Sequence, residues 1–271
     1  QLDCQGLFGG LGGDELNAGE YEYFPMYFYD LAYLKQNSVL EKEIHSWVQY
    51  HDHPIFKKNM EIAQFYLSHW VDLKKSGLCL PEKKRLERYR AVLNREFFDF
   101  SKFNPVMEHR FSSYLKNRAF QDITRETAPC CLRALDRNGV AFGLDGFLPF
   151  FDYRLVEFMF QIPGHLKIRD GVTKYILRKA MRGLLPEETR TRIKKMGWNA
   201  PAHIWFSHKT LEMMKDLVTS KQFEQRGIYN SDIVLSLIQE HEEIVRLNLP
   251  KENHMMFLWQ LLNLELWLQS V

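Results

Sequence analysis

Four glycines within five positions, Gly9, Gly10, Gly12 and Gly13, run directly into Asp14 and Glu15. Glycines let backbone N–H groups close on an oxyanion, and a carboxylate just beyond them can hold a magnesium ion. The loop is not a dinucleotide fingerprint, because Glu15 stands where the third glycine would fall. It is not a Walker loop either, because no Lys-Ser/Thr pair follows. On these residues alone it reads either as a ligand loop or as a tight turn.

Three further carboxylates, Asp136, Asp145 and Asp152, fall 9 and 7 positions apart among glycines and aromatics. They read as caps and turn residues, or as carboxylates that position a cationic or magnesium-chelated ligand. Cations gather downstream. Lys174, Arg178 and Arg182 are spaced i, i+4, i+8, so a helix opening at Gly171 would carry them on one face. A lysine in a first turn opposes the helix dipole, which is tolerable where an anion faces it; a solvated basic face is the alternative. Arg192-Ile193-Lys194-Lys195 then precedes Met196-Gly197-Trp198 outside any periodic pattern, as a loop lysine meeting polyphosphate would. His51-Asp52-His53 beside Pro54 is the only local histidine cluster; two histidines at i, i+2 with no further ligand read as a turn rather than zinc. No Ser-His-Asp arrangement follows from spacing.

Those residues need elements to hold them. Leu7 and Phe8 read as the end of a strand entering the glycine loop. Tyr21, Tyr23, Phe24, Tyr27, Phe28, Tyr29 and Tyr33 read as a buried helical face. Residues 39–75 and 81–100 read as amphipathic helices, with Pro54 a break, Ser76-Gly77 a stop and Pro81 in a first turn. Phe111–Arg125 is helical, and Thr127 can cap a helix that carries Pro129 in its first turn. Asp136–Gly139 and Gly143–Gly146 read as loops, and Pro149–Asp152 as a compact turn. Helical spacing resumes over Tyr153–Phe160. It returns after Asp170-Gly171 with Ile176, Leu177, Ala180 and Met181, and Gly183 stops it. The last helix, Asn253–Gln269, is apolar nearly all round and should pack against the domain. This makes about ten helices, almost no strand, and no internal repeat.

The 271 residues are 45% hydrophobic and 26% charged, an ordinary globular composition. Lys plus Arg number 36 against 34 Asp plus Glu; the net charge of +2 excludes a bulk electrostatic pull on nucleic acid or anionic membrane. Four cysteines are too few for a disulfide scaffold, and free thiols suit a reducing cytosol, which gives a cytoplasmic expectation. Met255–Leu268 is broken by Gln260, Asn263 and Glu265 and falls short of a membrane span. No signal peptide opens the chain, and Gln1 in place of Met hints at a processed or truncated product.

Taken in order, these pieces resemble glutamine-dependent asparagine synthetases. The likeness is carried by Gly10–Leu16, Asp136–Asn138, Gly143-Leu144-Asp145, Pro149–Asp152 and Arg154–Phe158. It continues through Leu166–Gly171, Lys174–Ala180, Leu185-Pro186-Glu187, Lys195–Trp198 and the tail Leu258–Trp267. The resemblance implies a mainly α-helical chain, the C-terminal helical portion of an α/β ATP-pyrophosphatase domain spanning residues 1–271. It implies that ATP adenylates an aspartate-like carboxylate, releasing pyrophosphate, and that ammonia from glutamine forms the amide. By position, Asp14 resembles the Mg²⁺-ligating carboxylate, and Glu15 lies beside it in the substrate pocket. Gly10, Gly12, Gly13 and Lys174 fall in the ATP- and substrate-binding motifs. Asp136 and Asp145 resemble carboxylates of the pyrophosphate and amino-acid subsites, and Lys195 the lysine that stabilises the transferring phosphoryl group. A homodimer is a family expectation; no nucleic-acid or membrane partner is implied.

The departures are specific. The family's Ser-Gly-Gly-x-Asp-Ser nucleotide loop and its glutaminase domain with an N-terminal cysteine are not among these residues, which implies a C-terminal portion inactive alone. Leu11 stands where the family often has Glu, and Phe147 where it usually has Arg. Ala18 replaces a glycine and Glu20 the usual aromatic. Two rivals share the resemblance: an adenylating cyclase of lasso-peptide or β-lactam type, and a degenerate helical module without catalysis.

Overall fold

A computed structural model of the chain describes residues 5–69, 83–99, 108–195 and 202–271. The expectations at Ser76-Gly77, Pro81 and Met196-Gly197-Trp198 lie outside the described residues. Two compact units emerge, Gln1–Cys79 with Val106–Lys195, and Leu80–Pro105 with Met196–Val271.

The first unit opens with strand β1 (Gly6–Phe8) and helices α1 (Gly13–Asn17), α2 (Tyr23–Tyr33), α3 (Asn37–His51) and α4 (Met60–His69). Helix α5 (Lys83–Arg90) belongs to the second unit. The chain then returns to the first unit with α6 (Tyr114–Thr124), α7 (Thr127–Ala141), strand β2 (Asp145–Phe147) and a 3-10 turn at Pro149–Phe151. Helices α8 (Tyr153–Gln161), α9 (Gly164–Lys167), α10 (Tyr175–Ala180) and α11 (Glu187–Thr191) complete it. The second unit ends with α12 (Ala202–Trp205), α13 (Lys209–Val218), α14 (Lys221–Arg226), α15 (Ser231–Arg246) and α16 (Met255–Ser270). The chain is thus mainly helical, with two three-residue strands among the described residues. Among the described residues there are more helices than the ten or so expected, because pieces such as α1, α9, α11, α12 and α14 are four to six residues long, too short to show a period.

The aromatic run after the glycine loop is the core of the first unit. Phe24, Tyr27, Phe28 and Leu31 of α2 pack against Ile44 and Trp47 of α3 and Tyr114, Leu115 and Ala119 of α6. Phe28 and Trp47 meet edge-on with ring centres 5.5 Å apart, a favoured aromatic geometry. In the second unit Leu211, Met214 and Val218 of α13 pack with Val234 and Ile238 of α15 and Leu258 and Leu261 of α16. The last helix packs as expected through Leu258, Leu261 and Leu262, while the rest of its apolar surface, Met256, Trp259, Leu266 and Trp267, is exposed.

Strands β1 and β2 pair in parallel, Gly6 opposite Asp145, Leu7 opposite Gly146 and Phe8 opposite Phe147. Phe8 and Phe147 stack at 5.2 Å. The strand ending at the glycine loop is therefore present, although only three residues long.

Three local expectations need correction. Gly143–Gly146 is not all loop, because Asp145 and Gly146 belong to β2. Asp136–Gly139 is not a loop; it lies within α7. The helix ends beyond it on Gly143, at φ 65°, with Leu144 N–H donating to Gly139 O at 2.9 Å and Gly143 N–H to Val140 O at 3.2 Å. Gly139 is a glycine because a Cβ there would meet Leu144 O at 2.7 Å. Thr127 is not the cap of α7 but its first residue, and Glu126 holds the N-cap position.

Candidate active site

Helix α1 is a five-residue piece held between two left-handed residues, Gly12 at φ 90° and Ala18 at φ 54°. Its first turn presents Asp14 and Glu15, where the helix dipole favours carboxylates. The Pro149–Phe151 turn fixes its position. A Cβ on Gly12 would meet the Phe151 ring at 2.9 Å, and one on Gly13 the Phe150 ring at 3.1 Å. The glycine loop and the Pro-Phe-Phe turn, 136 positions apart, thus pack as one piece, and Gly9 N–H donates to Phe147 O at 2.8 Å. Gly10 has open space where a side chain would stand. Phe147, the departure from Arg, is accounted for by its stacking on Phe8.

Lys174 arrives from the other side. Its loop is pinned to α3, where buried Glu43 accepts from Asp170 N–H at 2.8 Å and Gly171 N–H at 3.1 Å. His51 Nε2 lies 2.7 Å from Gly171 O. Gly171, at φ 70°, lies so close to α3 that a Cβ would meet Ser46 backbone at 2.9 Å. Lys174, itself left-handed at φ 57°, ends the loop as the N-cap of α10, with its N–H on Asn17 O at 3.1 Å.

Four charged side chains meet there. Lys174 Nζ is 2.7 Å from Asp14 Oδ1, and Lys195 Nζ is 3.6 Å from Asp14 Oδ2. Lys195 also hydrogen-bonds the Glu20 carboxylate. The cluster is a row of alternating sign, Lys174, Asp14, Lys195, Glu20. Gly19 makes room for it, because a Cβ there would fall onto Asp14 Oδ1 and within 2.5 Å of Lys174 Cε. Burial pulls the Lys195 ammonium down, but Glu20 and Asp14 outweigh it and hold its pKa above the ordinary lysine value. Burial pushes the Glu20 carboxyl up, and Lys195 only partly offsets this.

The anion that a lysine at the head of α10 needs is therefore Asp14. Its two expected companions do not reach the site. The Arg178 guanidinium donates to Thr173 O at 2.8 Å and Arg190 O at 2.7 Å, and Arg182 is exposed past the end of α10. Asp152 is a cap, accepting from Arg154 N–H at 2.9 Å and pairing with the Arg154 guanidinium at 2.6 Å; these contacts hold its carboxyl down at about 2. Asp136 on α7 and Asp145 at the start of β2 are exposed, and no hydrogen bond or ion pair among the described residues joins their carboxylates to the charge row. Glu15 is buried, and its carboxylate has no hydrogen bond or ion pair among the described residues. The His51–His53 stretch is a turn: His53 Nδ1 accepts from Ile55 N–H at 3.1 Å. No group of three or more metal-type ligands occurs among the described residues.

In the sequence Glu20 stands out only as a departure from the family, and neither Gly19 nor Glu43 is marked by type or spacing. The exchange of an aromatic for a carboxylate at position 20 was the available signal.

A family model described as asparagine synthase matches residues 3–269. The chain is similar to asparagine synthetase (glutamine-hydrolyzing) 1 of Bacillus subtilis (strain 168), 29% identical over 153 residues, 56% of this chain and 22% of that protein. It is also similar to asparagine synthetase (glutamine-hydrolyzing) 3 of the same organism, 35% identical over 86 residues, 32% of this chain and 14% of that protein. The matched segments span less than a quarter of either relative. No solved structure matches the chain significantly.

Proposed function

Because the chain belongs to the asparagine synthase family, we propose that its first unit carries the synthetase site of an ATP-dependent, glutamine-using amide ligase. In this reading an aspartate-like carboxylate attacks the α-phosphorus of ATP, and pyrophosphate leaves. Ammonia derived from glutamine then attacks the acyl carbon, and AMP leaves as the amide forms.

The observation that carries the reading is the row Lys174–Asp14–Lys195–Glu20 beside the glycine loop. Phosphoryl transfer needs fixed cations where negative charge develops, in a site that screens water. Lys195, half-buried and held charged, is the group for that task. Lys174 orients Asp14 and adds a second cation. Gly10 and Gly12 bring backbone N–H groups towards the phosphates, and Gly13, its N–H on Gly10 O at 3.2 Å, closes the loop. Glu15 is a buried carboxylate with no hydrogen bond or ion pair among the described residues, and an amino group of the substrate would pair with it. Asp136 and Asp145, exposed on α7 and β2, serve the pyrophosphate and amino-acid subsites.

Magnesium fits this site as an ion that takes one carboxylate from the protein and completes its shell with phosphate and water. Asp14 would hold it, as the carboxylate just beyond the glycine loop, by exchanging its contact with the Lys174 ammonium for the ion. Once bound, it would neutralise charge on the phosphates. AMP formation by the full-length protein, with aspartate compared against other carboxylic acids, tests the reading. Aspartate-dependent AMP is the expected result; AMP formed only with another carboxylate would redirect it to a different acceptor.

A further inference from the structure

We infer that Glu20 is a positioning residue: it ties Lys195 to the turn between α1 and α2, so that the ammonium stays beside Asp14 with a donor free for a phosphate oxygen. The inference rests on the reading of Lys195 given above.

Lys195 lies in a stretch, residues 192–195, that belongs to no helix or strand. Its side-chain contacts are carboxylates, Glu20 by hydrogen bond and Asp14 Oδ2 at 3.6 Å. Glu20 stands on backbone fixed from both sides. The preceding Gly19 N–H donates to Asp14 O at 2.8 Å, and the Glu20 carbonyl accepts from Tyr23 N–H at 3.3 Å. Tyr23 is buried, with its hydroxyl donating to Asp122 at 2.6 Å. The rigid partner of the pair is therefore Glu20, and the partner that needs placing is Lys195.

Charge points the same way. The row of two lysines and two carboxylates sums to zero, and without Glu20 one cation is unmatched. An ammonium carries three N–H donors. Glu20 engages one by hydrogen bond and Asp14 Oδ2 stands 3.6 Å away, which among the described residues leaves donor capacity for an arriving anion. An aromatic at position 20, which the family resemblance leads one to expect, offers no acceptor for a lysine. The tie is a feature of this chain. A carboxylate that merely competed with the incoming anion would have the opposite consequence, because its removal would raise turnover or lower KM for ATP.

The test compares wild type, Glu20→Gln and Glu20→Asp in the full-length protein. Trace acetylation with acetic anhydride is run at about pH 8, and label on Lys195 is read by mass spectrometry against exposed Lys179. Glu20→Gln should release the Lys195 ammonium from its carboxylate partner and raise its label relative to wild type. Glu20→Asp should keep most of the wild-type behaviour. In AMP formation Glu20→Gln should lower kcat about tenfold with KM for ATP within about twofold. Unchanged Lys195 labelling overturns the tie, and unchanged or raised kcat overturns its positioning role. Lys195→Ala is assayed alongside. Normal turnover by that variant overturns the reading of the site, and the role of Glu20 with it, even where the labelling shows the tie.

Discussion

Asp14 Oδ1 and Lys174 Nζ meet at 2.7 Å over Gly19, at a point where no side chain on Gly19 could pass. The glycine is there for clearance rather than for an unusual φ. Gly19→Ala should therefore push Asp14 and Lys174 apart, lower stability by about 1–3 kcal/mol, and reduce AMP formation more than that loss explains. Gly10→Ala, placed in open space, should change stability by no more than about 0.5 kcal/mol. Chemical denaturation of both variants checks the contrast.

The two adjacent lysines should behave differently. Lys195 reaches two carboxylates, whereas Lys194 is exposed with no ion pair among the described residues. Lys195→Ala should lower kcat about 10²–10³-fold, or about 3–4 kcal/mol, with little change in KM for ATP. Lys194→Ala should cost less than about tenfold. Equal, near-normal AMP formation by both variants would remove this loop from the site.

A stability prediction concerns the end of α2. Lys35 is left-handed at φ 56°, with its N–H on Ala32 O at 3.0 Å and Gln36 N–H on Leu31 O at 2.9 Å. This is the Schellman arrangement, in which glycine is favoured. Lys35 is exposed, so Lys35→Gly removes backbone strain without removing packing and should stabilise by about 1 kcal/mol. A thermal melt measures it.

Asp30 links stability to pH. Its carboxylate holds the start of α6, accepting from Tyr114 N–H at 2.6 Å, with the Ser113 hydroxyl and Leu115 N–H also donating. Burial nevertheless pushes its carboxyl up to about 6, against the pull of those hydrogen bonds. A carboxyl raised on folding binds its proton more tightly in the folded chain. Its contribution is complete below the ordinary carboxylate range and is lost as pH rises through about 6. Wild type should gain about 1–3 kcal/mol over Asp30→Asn as pH falls from 8 to 4. A constant difference across that range would contradict the assignment.

Much of the fold could be read where periodicity runs long. The aromatic face of α2, the stop at Gly183 and the last helix, α16, follow from apolar spacing and glycine placement. Short pieces could not be read that way. Helix α1 is set by two left-handed residues and the Phe150–Phe151 turn, which no local pattern contains. Gly139 misled because it marks a close approach to Leu144 rather than a turn. In the site, Asp14, Lys174 and Lys195 could be picked by type and by resemblance. The pairing of Lys195 with Glu20 joins positions 175 apart and becomes visible only once the chain is folded.

The central claim is that Asp14 anchors an adenylating site, and ATP–pyrophosphate exchange tests it most directly. In the full-length protein with aspartate, Asp14→Asn should keep the folded far-ultraviolet spectrum and lose exchange by at least about 10²–10³-fold, because an amide cannot supply the carboxylate's charge. Exchange at a near-normal rate would make Asp14 a structural partner of Lys174 and contradict the account.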